Sequence, residues 1–190
     1  MAKAFVASLE SDPLPAGLTV VVIPEVNPDG LKAGTRSNSV GVDVNRNFPA
    51  KNWRPGSKES RYYPGPKPLS EREAQAIIKA IKKWRPALLI SIHAPLKCMN
   101  WDGPAEDVSS AMAQAIGFSL CKDIGYETPG SLGSYAGKDR EIPIVTFELG
   151  DDLTSAETTT QGVRALRAAL DFVSTSVTKP GPRSNNKRRE

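Results

Sequence analysis

The sequence predicts an α/β fold, on three observations. Apolar runs at 18–23, 87–92 and 142–149 have the length and the Val/Ile content of buried strands. Stretches with apolar residues at helical spacing, at 1–10, 70–84, 107–121 and 163–173, alternate with them. The connecting segments are long and rich in Gly, Pro, Asn and Ser, most of all 27–68, and a loop of that length in a compact domain is functional or disordered.

In chain order, Phe5, Val6 and Leu9 share one face of a first helix, which Ser11-Asp12-Pro13 ends. The Val-rich run 18–23 lacks alternation, so it reads as a central, parallel strand. Asn27-Pro28-Asp29-Gly30 reads as a turn, with Pro fixing one φ and Gly accepting a positive one. Arg36, Asn45 and Arg46 then stand among small residues, with Asp43 and Asn47 close by. Two readings fit them: a solvated loop whose Asn and Asp residues cap their own turns, or a fork of planar donors that holds a carboxylate. Trp53, Tyr62 and Tyr63 are expected to pack this loop against the body, and the alternative for the tyrosine pair is contact with substrate.

Ser70-Glu71-Arg72-Glu73 reads as a capping box, and Ala74, Ile77, Ile78, Ile81 and Trp84 follow on one helical face until Arg85-Pro86. The strand at 87–92 delivers His93 to its carboxyl end, where open α/β sheets place their sites. Val108, Met112, Ala115, Ile116 and Leu120 make the next helical face, ended by Gly125, and 126–137 is a Gly- and Ser-rich loop. The run 142–149 carries Glu148, and a carboxylate in such a run is costly to bury without a partner or a task. Val163, Leu166, Leu170 and Val173 line a final helix. Residues 1–177 read as one domain, and 178–190, with Lys187, Arg188 and Arg189, as a disordered basic tail.

The formal charge is +4, from 25 Lys and Arg against 21 Asp and Glu, and much of the excess falls in that tail. No aromatic or groove-reading motif accompanies it, which argues against nucleic acid. No run is long enough to span a membrane, and no signal peptide is visible, so the default compartment is cytoplasmic. Cys98 and Cys121 do not make a disulfide framework and fit a reducing compartment. Cys98 reads as a small buried hydrophobe and not as a nucleophile paired with His93.

NPDG, then GTR, then GVDVNRNFP resembles the zinc carboxypeptidase family, and GTRSNSVGVDVNRNFP looks most like its bacterial murein peptide amidase branch. SIHAP resembles that family's third zinc-ligand motif, and TFELG its catalytic motif. The resemblance implies a mixed, twisted sheet with helices on both faces. It implies hydrolysis of a peptide with a free C-terminal carboxylate, with zinc as cofactor and a γ-D-glutamyl-diamino acid bond as the candidate target. By motif match, Asn45 and Arg46 anchor the carboxylate, Arg36 meets the scissile carbonyl, Glu148 is the general base, His93 is a zinc ligand and Tyr126 caps the substrate, with Tyr135 packing beneath. The family's HxxE motif, source of two further zinc ligands, belongs directly before the first helix and is not in this sequence, where His93 is the one histidine. The expectation is a domain truncated at its amino end by gene start, fragmentation or degeneration. The competing expectation is a catalytically silent remnant that binds carboxylate-ended peptides.

Overall fold

The computed structural model describes residues 1–152 and 154–178. The expected tail, 178–190, lies outside them apart from Thr178, the last residue of the final helix. The core is a four-stranded mixed sheet: β1 (Leu89–His93), β2 (Leu96–Asp102), β3 (Ser119–Leu120) and β4 (Ile144–Gly150), in spatial order β1-β4-β2-β3. β4 runs parallel to β1 and antiparallel to β2, while β3 runs parallel to β2.

The register explains the side-chain pattern. Ile90 and Ile92 pair with Val145 and Phe147, and Met99 and Trp101 lie opposite the same two residues from β2. On the faces that the pleat defines, Val145, Phe147, Met99 and Trp101 meet helix α4 (Glu106–Ile116) and helix α5 (Ser155–Thr178) in one core, through Val108, Met112, Ala165 and Ala169. The opposite face carries Ser91, His93, Thr146, Glu148, Cys98 and Asn100, a polar floor. Its far end is covered by helix α3 (Arg72–Trp84), whose Ala74, Ile78 and Ile81 pack with Phe48, Tyr135 and Leu89. Helices therefore lie on both faces, as expected.

Several elements differ from expectation. Residues 18–23 form no strand: Val21 and Ile23 are exposed, because β-propensity supplies no hydrogen-bonding neighbour and none is present among the described residues. This segment runs past helix α1 (Ala2–Ser8), where Lys3 pairs with Glu25 at 3.1 Å. Phe5 of α1 is buried, while Val6 faces outward. Asn27 caps helix α2 (Pro28–Ala33), its Oδ1 accepting from the Gly30 N–H at 3.0 Å. Gly30 is thus helical and not at positive φ, and a Cβ there would strike the Asn27 amide. The capping box is not formed. The N-cap of α3 is Glu71, and Ser70, Glu71 and Glu73 are bonded instead to one another or to the side-chain amides of Asn38 and Asn47. Trp84 is half exposed. α4 stops at Gly117 and not Gly125, leaving Leu120 on β3. Part of the expected 126–137 loop is a π-helical turn, Ser134–Lys138. α5 packs through Ala165, Leu166 and Ala169, a face offset toward small residues that let α4 approach.

Cys98 and Cys121 are joined by a disulfide, with Cα atoms 6.0 Å apart. Parallel pairing sets Cys98 beside Ser119, which brings Cys121 within bridging reach. They are not free thiols, so they give no support to a reducing compartment. No helix among the described residues is long and apolar enough to cross a membrane.

Candidate active site

The polar floor ends in a row of three residues. His93 of β1 pairs in register with Glu148 of β4, and Glu148 with Cys98 of β2. Directly paired residues share a face, so the imidazole and the carboxyl project to the same side of one sheet rim.

Above that rim sits the 36–48 loop, held by its own polar side chains. Asp43 is buried; its carboxylate accepts from Arg36 Nε at 2.7 Å and from the Asn45 backbone N–H at 3.0 Å. The Asp43 N–H donates to the Tyr63 carbonyl at 2.8 Å. The loop is also laced to the 128–139 segment. The Phe48 N–H donates to the Gly130 carbonyl at 2.9 Å, and the Leu132 N–H to Asn45 Oδ1 at 2.9 Å. Gly130 has φ +68°, and a Cβ there would collide with the Arg46 carbonyl oxygen. Asn45 thus spends its oxygen on structure, and its Nδ2 makes no hydrogen bond among the described residues. Arg46 is buried, donates from Nη1 to the Asn45 carbonyl at 2.8 Å and lies over the Tyr62 ring.

Electrostatics tie the loop to the rim. Burial first, then the positive charges of Arg36 and Arg46, lower the His93 pKa to about 4 against the pull of Asp43. The imidazole is neutral near pH 7, and its Nε2 is 2.8 Å from Ser91 Oγ. Burial raises the Glu148 pKa, while the Leu96 N–H and Arg36 draw it partly back. Glu148 is 6 % exposed, and its Oε2 has no hydrogen-bond partner among the described residues. A buried carboxylate oxygen left without a partner marks a site with a task. The Arg46 pKa is lowered by burial, opposed by Asp43, and both Tyr126 and Tyr62 act on its charge. Tyr126 is exposed and Tyr135 buried.

All six residues expected from the sequence therefore gather in one neighbourhood: His93 and Glu148 on the rim, Arg36, Asn45 and Arg46 in the loop above, and Tyr126 near Arg46. The sequence marks no role for Asp43, which orients Arg36, and favours packing over substrate contact for Tyr62, which is exposed and stacks with both arginines. An acid between two arginines was the available signal for Asp43. A single histidine does not make a metal centre. Among the described residues no group of three His, Cys, Asp or Glu is placed to hold a metal ion, and zinc sites use three or four protein ligands. The residues described do not by themselves fit zinc.

The sequence profile described as zinc carboxypeptidase matches residues 14–111. Murein peptide amidase A of Escherichia coli K12 is 40 % identical over 134 residues, which cover 65 % of this chain and 54 % of that protein. Gamma-D-glutamyl-L-diamino acid endopeptidase 1 of Lysinibacillus sphaericus is 26 % identical over 183 residues, 76 % of this chain and 46 % of that one. The chain spans about half the length of these curated relatives. Among solved structures, murein-tripeptide amidase from Escherichia coli O157 superposes with a TM-score of 0.65 at 37 % identity, covering 78 % of this chain and 65 % of that one. Carboxypeptidase A from Helicoverpa armigera shares the fold at 17 % identity, with a TM-score of 0.67 over 93 % of this chain and 58 % of that one. With the profile spanning half of the sequence and the sheet rim built as described, the chain belongs to the zinc carboxypeptidase family.

Proposed function

We propose that the chain acts on murein-type peptides ending in a free carboxylate, as part of a hydrolase that cuts a γ-D-glutamyl-diamino acid bond. One observation supports this above others: an unpartnered, buried Glu148 carboxyl lies in register with His93 beneath the Arg36–Asp43–Arg46 cluster. Asn45 Nδ2 and the Arg46 guanidinium grip the terminal carboxylate by charge-assisted hydrogen bonds. Arg36, held by Asp43, faces the carbonyl oxygen as negative charge develops there. Glu148, its proton affinity raised by burial, accepts a proton from the attacking water and returns it to the leaving amine. Tyr126 closes over the peptide from the exposed side. Murein peptides as substrate follow from the relatives' activities, and His93 is the residue here of zinc-ligand type. The described residues do not fit a zinc ion, and these roles rest on the chain's own side chains. That same observation favours a second reading, in which the chain binds the peptide without cutting it.

Two measurements separate the readings. Calorimetry with a γ-D-glutamyl-diamino acid peptide is expected to show binding that Arg46→Gln weakens about tenfold, the scale of one charge-assisted contact. Unchanged affinity in that variant would remove Arg46 as the anchor. In parallel, release of the diamino acid is followed with zinc supplied. Release that Glu148→Gln cuts by about 10²- to 10⁴-fold, the range for a general base, supports hydrolysis. Binding without release supports the silent reading. The same Glu148→Gln variant is expected to be more stable than the parent at pH 7, by about 1 kcal/mol, because it removes a buried charge. Equal or lower stability would mean that the Leu96 N–H and Arg36 offset the burial in full.

A further inference from the structure

Tyr62 gathers more positive charge than a single carboxylate grip uses. The guanidinium carbons of Arg36, Arg46 and Arg61 lie 5.0, 5.2 and 5.1 Å from its ring centroid. A ring face attracts each cation through its quadrupole, but three guanidiniums around one ring also repel one another. Asp43 offsets Arg36 and is, among the described residues, the one carboxylate ion-paired within this group. Arg61 is exposed and has no carboxylate partner among the described residues. After a peptide's terminal carboxylate takes Arg46, one cation remains on the solvent side, held in place by the ring and still unbalanced.

We propose that Arg61, positioned by the Tyr62 ring, forms a second carboxylate subsite that selects peptides whose terminal residue carries a side-chain carboxylate as well. This rests on the reading of Arg46 as the terminal-carboxylate anchor. Tyr62 is a positioning residue here: its ring holds the Arg61 and Arg46 guanidiniums at 5.1 and 5.2 Å from one centroid, so that two anions on one residue are met by two guanidiniums. The planar fork of arginine suits each carboxylate.

The test is calorimetry on the full chain with N-acetyl-alanyl-glutamate and N-acetyl-alanyl-glutamine, which differ by one carboxylate. The glutamate peptide is expected to bind about fivefold more tightly, the upper scale for an exposed ion pair. Arg61→Gln is expected to abolish that preference and leave glutamine-peptide affinity unchanged, with the fold undisturbed because Arg61 is exposed. Tyr62→Phe, which keeps the ring, retains the preference, and Tyr62→Leu loses it. Arg46→Gln weakens both peptides alike. A preference that survives Arg61→Gln, or is absent from the parent while both peptides bind, overturns the second subsite and leaves the Arg46 anchor standing. Failure of the folded parent to bind either peptide overturns both.

Discussion

Replacing Asn47 by leucine is expected to destabilise the protein by about 4 kcal/mol, a large share of the roughly 5–15 kcal/mol that holds a domain folded. Asn47 is fully buried. Its Nδ2 lies 2.7 Å from the Pro64 carbonyl, 3.0 Å from the Lys67 carbonyl and 2.9 Å from Ser70 Oγ, and its Oδ1 accepts from the Glu71 N–H at 3.0 Å. Its own carbonyl accepts from the Leu69 N–H at 2.8 Å. One side chain thus fastens the 64–71 segment to the loop that carries Asn45 and Arg46. Leucine keeps the same branched heavy-atom skeleton, so the loss is not a cavity. It is the desolvation of several buried groups with no new partner, at about 1–3 kcal/mol each. The measurement is urea unfolding, with a lower midpoint and an unchanged slope. Asn47→Asp keeps the acceptor and loses the donors, so it is expected to recover a minor part of the loss. A cost below about 1 kcal/mol in Asn47→Leu would mean that water reaches these groups and the loop is not anchored there.

The two strands that carry the site were legible as apolar runs rich in Ile and Val, and within them ISIH and IVTFEL set polar residues at every second position. That alternation distinguishes a core face from a floor, and the polar set is what lines the rim. β2 was missed for the same reason in stronger form. Lys97, Asn100 and Asp102 break its apolar run, although Met99 and Trp101 on its other face are buried. The run at 18–23 failed in the opposite direction: Val-rich sequence gives a strand only where a neighbour offers its backbone. The disulfide was invisible because sequence separation says nothing of register, and β3 is too short to signal itself. Gathering of Arg36, Asn45 and Arg46 over the rim came from motif resemblance. Their physical support, Asp43 and the Tyr62 ring, depends on loop geometry that no periodicity encodes.

The imidazole of His93 is expected to titrate near pH 4, and because the chain holds one histidine, a single proton resonance reports it without assignment. The consequence for stability has a definite sign. The unfolded chain takes up this proton near 6.5, the folded chain near 4. Between those values the unfolded state binds more protons, so the contribution is whole above about 6.5 and is lost as pH falls toward 4. The full shift corresponds to about 3 kcal/mol, and partial solvent contact reduces this to roughly 2–3 kcal/mol. Glu148 works in the other direction: its raised pKa gives stability that is whole below 4.5 and fades as pH rises through the folded value. The two windows overlap, so the two contributions oppose each other there. Glu148→Gln is expected to uncover the full His93 slope, and His93→Gln to remove it. Arg36→Gln moves the imidazole upward, since it deletes a repelling cation and frees Asp43 to attract the proton. A titration midpoint at the ordinary value, unmoved by Arg36→Gln, would mean that His93 faces bulk water and that the arginine loop does not lie over the strand ends.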